Sequence, residues 1–176
     1  IEEDTNLSIT NTTATVTTVA LDSTSTNSED VNEDINVTNG SLVIATIAGS
    51  ITTADSTGNI TVENNILLDA STSITTEGDI LSSAGHITLD AAAGNINQGS
   101  TTSSEIKTTG TDKDIFLNAV GSIVMAQGSE TIVDATTGTD GDIVYHATDS
   151  IVTEIITTDT HVSLKATNGS ITDLDS

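Results

Sequence analysis

The chain has 176 residues, 26 acidic side chains against three lysines, no arginine, no cysteine and no proline, and a formal charge of −23. So acidic a chain repels phosphate backbones and anionic lipids, which argues against nucleic-acid and membrane-surface partners, and the missing cysteine removes disulfides and thiolate metal sites. No apolar run approaches the roughly 20 residues of a membrane span, and Phe116 and Tyr145 are the only aromatics, too few for a usual sugar-stacking or base-stacking platform.

Leu, Ile, Val and Phe make up about a quarter of the chain and are regularly placed, the mark of a folded rather than a disordered sequence. In residues 1–34 the regularity is weak. "LSIT" and "TATVTTVAL" read as an opening coil or cap, and "STSTNSEDVNED" as a long polar turn. The chain begins at Ile1 without methionine, as expected of a processed chain or an excised piece.

From residue 35 onward three kinds of short strand recur in fixed order, here called C, A and B. A C strand centred on Ile35 precedes "SLVIAT" at Ser41, a loose A copy, and a B strand centred on Ile51. The next round has Ile60, "NILLDA" at Asn65 and Ile74, and the following one Ile80, "HITLDA" at His86 and Ile96. Then come Ile106, "DIFLNA" at Asp114 and Ile123; Ile132, "DIVYHA" at Asp142 and Ile151; and Ile156, "HVSLKA" at His161 and Ile171. Within each A copy Ile, Leu and Ala fall at every second position, the period of a strand. The A copies start 24, 21, 28, 28 and 19 residues apart, with the extra length in turns such as "QGSTTSSE" and "DATTGTDGD".

Strands this short bury a face only by stacking on their equivalents in the next coil. The expected fold is therefore all-β, a right-handed three-sided parallel β-helix of about six to eight coils, with residues 35–176 forming the repeats. An antiparallel sandwich would show more hairpin dipeptides than "NG" at Asn39 and Asn168 and "DG" at Asp140. Ile66, Ile87, Ile115, Ile143 and Val162 should form one inward stack. Leu68, Leu89, Leu117, Tyr145 and Leu164 should form a second, beside Ala70, Ala91, Ala119, Ala147 and Ala166. Tyr145 is the misfit, because a buried hydroxyl needs a partner. The glycine of the recurring G-x-I is expected at a corner that needs positive φ. Outward beside the core run Val43, Leu67, Thr88, Phe116, Val144 and Ser163, a contact surface expected to be covered by a long turn of the chain or by a neighbouring molecule.

The stretches "GDI", "GHITLDAAAGNI" and "NGSITDL" resemble the repeats of filamentous-haemagglutinin-like giant bacterial exoproteins and adhesins, over roughly Gly40 to Ser176. The resemblance implies a right-handed β-helix stalk, secreted or held at the bacterial cell surface. Its partners would be flanking coils of the parent protein or head-to-tail copies, together with cell-surface polysaccharide or protein. The irregular coil length and extreme acidity depart from the family pattern, and no secretion domain is recognisable.

The chemistry-bearing residues are sparse. A polysaccharide lyase on this scaffold wants a basic residue near cation-binding carboxylates, but the only bases are Lys107 on a C strand, Lys113 in a turn and Lys165 on an A strand. A hydrolase wants two carboxylates at a set separation. The non-catalytic reading is therefore preferred, and a polysaccharide-acting enzyme or carbohydrate-binding module is the alternative. His86 and His161 hold equivalent positions three coils apart, about 14 Å, too far to share zinc, and His146 lies on another outward column. The outward column of the B strands, Thr52, Thr75, Asn97, Val124, Val152 and Thr172, is too irregular for an ice-binding array. Six Asn-x-Ser/Thr triplets are what such a composition supplies by chance, and no function is assigned to them. The one candidate metal site is an acidic ladder. Asp114 and Asp142 should lie on adjacent rungs about 4.8 Å apart, with Asp112 and Asp140 in the turns "TGTDKD" and "TGTDGD". Calcium, which accepts irregular oxygen shells, would relieve their repulsion. The competing reading is solvated turns with Lys113 neutralising part of the charge.

Overall fold

In the computed structural model, which describes residues 7–10, 17–23, 29–31, 34–55 and 58–174, three faces are built from three parallel sheets of seven strands each. The A sheet stacks Thr17–Ser23, Gly40–Thr46, Ile66–Ala70, Ile87–Ala91, Ile115–Ala119, Ile143–Ala147 and Val162–Ala166. The B sheet stacks Glu29–Val31, Ile51–Thr53, Ile74–Thr76, Ile96–Gln98, Ile123–Met125, Ile151–Thr153 and Ile171–Asp173. The C sheet stacks Leu7–Thr10, Ile35–Thr38, Ile60–Val62, Ile80–Ser82, Glu105–Thr108, Glu130–Val133 and Ile155–Thr157. Among the described residues there is no helix. The chain is a three-sided β-solenoid in which five coils are stacked on both sides. The strands at 7–10, 17–23 and 29–31 pair with the next coil in the same C, A, B order. Within the long polar turn expected in 23–34, Glu29–Val31 is instead a strand of the B sheet, and residues 24–28 and 32–33 lie outside the described residues.

The inward stacks of the A sheet are in register. Ile66, Ile87, Ile115, Ile143 and Val162 align, as do Leu68, Leu89, Leu117, Tyr145 and Leu164, and Ala70, Ala91, Ala119, Ala147 and Ala166. From Ile66 to Ala147 these residues are buried, and they form one core with Ile51, Ile74, Ile96, Ile123 and Ile151 of the B sheet. Equal side chains on equal rungs let each methyl fill the gap left by its neighbour one rung away, which keeps a narrow prism close-packed.

The C sheet holds the one slip. Ile106 pairs with Thr131, and Thr131 with Ile156, so the expected Ile106–Ile132–Ile156 column is displaced by one residue. Ile132 turns outward and Thr131 is buried. A one-residue shift exchanges the two faces of a strand, and here it carries a hydroxyl into the core opposite the Tyr145 hydroxyl, 2.5 Å away.

The recurring G-x-I resolves into three jobs. The Ile fills the core. The middle residue lends its side chain to the coil that follows. Before the B strands, the Asn95 N–H bonds Ser73 Oγ (3.1 Å), the Ser122 N–H bonds Asn95 Oδ1 (2.8 Å), the Ser150 N–H bonds Ser122 Oγ (3.2 Å), and the Ser170 N–H bonds Ser150 Oγ (3.2 Å). Before the C strands, Asp34, Asn59 and Asp79 accept in the same way from Asn59, Asp79 and Glu105. At each corner the side chain supplies the acceptor that the parallel ladder does not.

The glycine is there for room, which corrects the expectation of positive φ. Among the described G-x-I glycines only Gly49 has a positive φ, nearly extended at 156°; the clearly left-handed glycines, Gly99, Gly128 and Gly138, lie outside the motif. A Cβ on Gly85 would lie 2.1 Å from the carbonyl carbon of Asn64 in the coil before it. Because that neighbour is backbone, Gly85→Ala has to push two rungs apart. A loss of about 2–3 kcal/mol is expected in chemical denaturation, against almost none for Ala84→Gly at the exposed neighbouring position.

Candidate functional site

The four aspartates expected to hold calcium sit at the edge where the C strands hand over to the A strands, Asp114 and Asp142 in a third acceptor ladder and Asp112 and Asp140 in the turns beside it. The Asn65 N–H bonds Ser41 Oγ (3.2 Å), the His86 N–H bonds Asn65 Oδ1 (2.9 Å), the Asp114 N–H bonds His86 Nδ1 (3.0 Å), and the Asp142 N–H bonds Asp114 Oδ1 (2.8 Å). His161 Nδ1 closes the series at 3.2 Å from Asp142 Oδ1. Hydrogen bonds from Thr160 and His161 hold the Asp142 carboxyl below the usual carboxylate range. Asp112, in a left-handed turn at φ 54°, accepts from the Thr139 hydroxyl. Asp140 accepts from Ala135 N (2.7 Å) through one oxygen and from Asp159 N (2.9 Å) through the other. All four carboxylates thus tie successive coils or turns together. Among the described residues no three His, Asp or Glu side chains are grouped so as to hold a metal ion.

The ladder role has a direct consequence. Asp114→Asn keeps an acceptor for the Asp142 N–H, whereas Asp114→Ala leaves that N–H without one. Stability is expected to fall by about 1 kcal/mol in the alanine variant and to stay near the parent value in the asparagine variant, as read from paired urea melts.

Beside this ladder the outward residues Leu67, Thr88, Phe116 and Val144 stand on adjacent rungs. Phe116 is 36% exposed, so the chain does not bury it. A groove of about 340 Å³ runs over Thr88, Phe116 and Val144, with His86, Asp114 and Asp142 along its rim. The far edge of the same strands carries Asp69, Asp90, Asn118, His146 and Lys165 in register. Asn118 Nδ2 donates to Asp90 Oδ1 at 2.8 Å. His86 and His161 are separated by the rungs of Asp114 and Asp142, and His146 lies across the strip from both.

On the C sheet a second groove, about 370 Å³, is lined by Thr61, Leu81, Ser82, Ser83, Glu105, Lys107 and Thr109. Lys107 pairs with Asp134 at 3.4 Å. Burial raises the Glu105 carboxyl above its ordinary value; Lys107 opposes this, while Asp79 and Glu130 add to it. A carboxyl whose folded pKa is raised binds its proton more tightly in the native state, so its contribution to stability is lost as pH rises through the folded pKa. Glu105→Gln is therefore expected to raise the melting temperature at neutral pH and to leave it unchanged in acid, where the parent carboxyl is already neutral.

The polar group that sequence reasoning missed lies inside the prism. Gln98 is fully buried; its Nε2 donates to the carbonyls of Ser104 (3.1 Å) and Glu130 (2.7 Å), and its Oε1 accepts from Thr131 Oγ1 (2.8 Å). Thr131 meets the Tyr145 hydroxyl, which also lies 3.8 Å from Met125 Sδ. Ser129 Oγ donates to the Gln98 carbonyl at 3.1 Å. Burial pushes the Tyr145 phenol well above its ordinary value, so it stays a neutral donor. The unmet hydroxyl of Tyr145 was the one sequence signal for this network.

Against protein-family models, curated protein sequences and solved structures, the chain finds no match.

Proposed function

We propose that this chain is a non-catalytic structural segment, a rigid stalk or spacer, of a large secreted or cell-surface bacterial protein of the filamentous-haemagglutinin-like adhesin type. The observation that carries the reading is the continuous parallel pairing of three sheets through seven rungs, which makes a rod roughly 30 Å long from first to last rung. Three corner ladders and one continuous core resist bending together, and the acidic faces keep neighbouring rods apart. The repeats "GDI", "GHITLDAAAGNI" and "NGSITDL" support the family. Flanking coils or head-to-tail copies are the proposed end partners. On the last rung the inward-column residues Val162 and Ile171 are 46% and 47% exposed, the surface that such a coil would cover.

Two measurements test this. Antibodies against the chain should label intact source cells without permeabilisation; labelling only after lysis sinks the extracellular reading. Pulled from its two ends, the chain should resist and then yield in steps of about one coil; smooth low-force extension would remove the stalk role. The alternative, an enzyme or binding module acting on polysaccharide, has one observation in its favour, the groove that joins Glu105 and Lys107. Release of reducing ends or unsaturated sugars from a polysaccharide panel, lost in Lys107→Met, would establish it. Calcium at Asp112, Asp114, Asp140 and Asp142 is tested by melting the metal-free chain with and without millimolar calcium. A rise that disappears in Asp114→Asn with Asp142→Asn would place the ion there, and no rise would leave these aspartates as ladder acceptors.

A further inference from the structure

The outward face of the A sheet is a largely apolar strip with two carboxylates on each edge, at the earlier rungs on one side and the later rungs on the other. Leu67, Thr88, Phe116 and Val144 run down its middle. Asp114 and Asp142 stand on one edge, 49% and 48% exposed, and Asp69 and Asp90 on the other. Four residues of strand separate the edges, roughly 13 Å, and carboxylates on one edge repeat about every 4.8 Å. We propose that this face binds an extended basic segment of another protein, with Lys or Arg side chains on the edge carboxylates and one side chain seated over Phe116.

Charge complementarity selects that occupant. The chain carries −23, so its field gathers cations and repels nucleic acid and anionic polysaccharide. The exposed Phe116 ring adds an attraction that a cation feels and a simple counter-ion screen does not. A neutral glycan would lean on several aromatic rings, and this strip has one. The far edge passes from Asp69 and Asp90 to Asn118, His146 and Lys165, so the carboxylates cross the strip diagonally, from that edge to Asp114 and Asp142 on the other. The proposal holds whether or not the chain is a stalk, because it depends only on this face.

The probe is an acetylated and amidated Lys-Leu-Lys-Leu-Lys peptide, titrated into the full chain by calorimetry and amide chemical-shift mapping at low salt. Shifts should centre on Leu67, Thr88, Phe116 and Val144. Phe116→Ser should weaken binding about tenfold. Asp114→Asn with Asp142→Asn, which keeps the ladder acceptors, should weaken it several-fold. Asp79→Asn with Glu130→Gln, which removes the same charge from the C side, should change it less than twofold. The proposal is overturned if the peptide does not bind, if the C-side pair weakens binding as much as the A-side pair, or if spermidine binds equally well and Phe116→Ser changes nothing. Binding of a neutral polysaccharide to the same strip in place of the peptide also overturns it.

Discussion

Leu117→Ala should lower the unfolding free energy by about 4 kcal/mol, near the upper part of the range for a buried leucine. Leu117 has no exposed surface and lies between Leu89 and Tyr145 in the central stack. The size of the cost depends on whether the hole can close. Here it cannot close easily, because the rungs above and below are held at fixed spacing by backbone bonds on either side of the strand. The Ile115 N–H bonds the Asp142 carbonyl at 3.0 Å, and the Val120 N–H bonds the Ala91 carbonyl at 3.1 Å. Phe116→Ala, one residue earlier, removes a larger side chain from the outward face, and its cost should be well below that of Leu117→Ala, about 1–2 kcal/mol, because Phe116 is already 36% exposed and its loss opens onto solvent and leaves no closed cavity. Urea unfolding of the two variants side by side checks the register directly. If Phe116→Ala proves the costlier, the inward and outward faces of the A strands have been exchanged.

That register was readable because it is written many times. Ile87, Leu89 and Ala91 alternate with Thr88 and Asp90, and the same alternation returns at Ile115, Leu117 and Ala119 and at Ile143, Tyr145 and Ala147. Each copy alone is ambiguous, but stacked they specify one face and one pitch. The slip at Ile132 was not readable, because Thr131 and Ile132 are both β-branched and both suit a strand. What decides between them is the Tyr145 hydroxyl, fourteen residues away, and no local pattern carries that demand. The motif glycines were located correctly but for the wrong reason. Gly85 and Gly121 lie against the backbone of the preceding coil, where a Cβ would sit 2.1 Å from Asn64 and 2.8 Å from the carbonyl of Gly94, respectively. A sequence shows that a side chain is missing and not what stands in its place. The acidic edge reads similarly. Asp114 and Asp142 are on adjacent rungs as their spacing indicates, yet the structure gives Asp114 Oδ1 a backbone partner in the next coil. Polar residues just before an Ile are therefore read better as coil-to-coil acceptors, whether the residue is Asp, Asn, Ser or His.

Gln98→Leu is the sharper test of how the interior is specified. By shape the change is mild, and by composition it makes the core more apolar. It is nonetheless expected to cost about 2 kcal/mol. Gln98 satisfies the carbonyls of Ser104 and Glu130 and the hydroxyl of Thr131 at once. Leucine removes that partner from all three, but the Ser104 carbonyl keeps the Glu130 N–H at 3.0 Å, and a group that finds no other costs about 1–3 kcal/mol, offset in part by the apolar surface gained. Thr131 keeps the Tyr145 hydroxyl, which is why the total stays below the sum. Thr131→Val alone should cost about 1–2 kcal/mol, since it strands Gln98 Oε1 and leaves the Tyr145 hydroxyl only the weak acceptor Met125 Sδ. In the double variant Gln98→Leu with Thr131→Val, the two costs should fall short of additivity by at least about 1 kcal/mol, as members of one network do. Additive costs would mean that the two residues stabilise the chain independently. The slipped register at Thr131 would then need a cause other than the hydroxyl chain that runs from Gln98 through Thr131 to Tyr145.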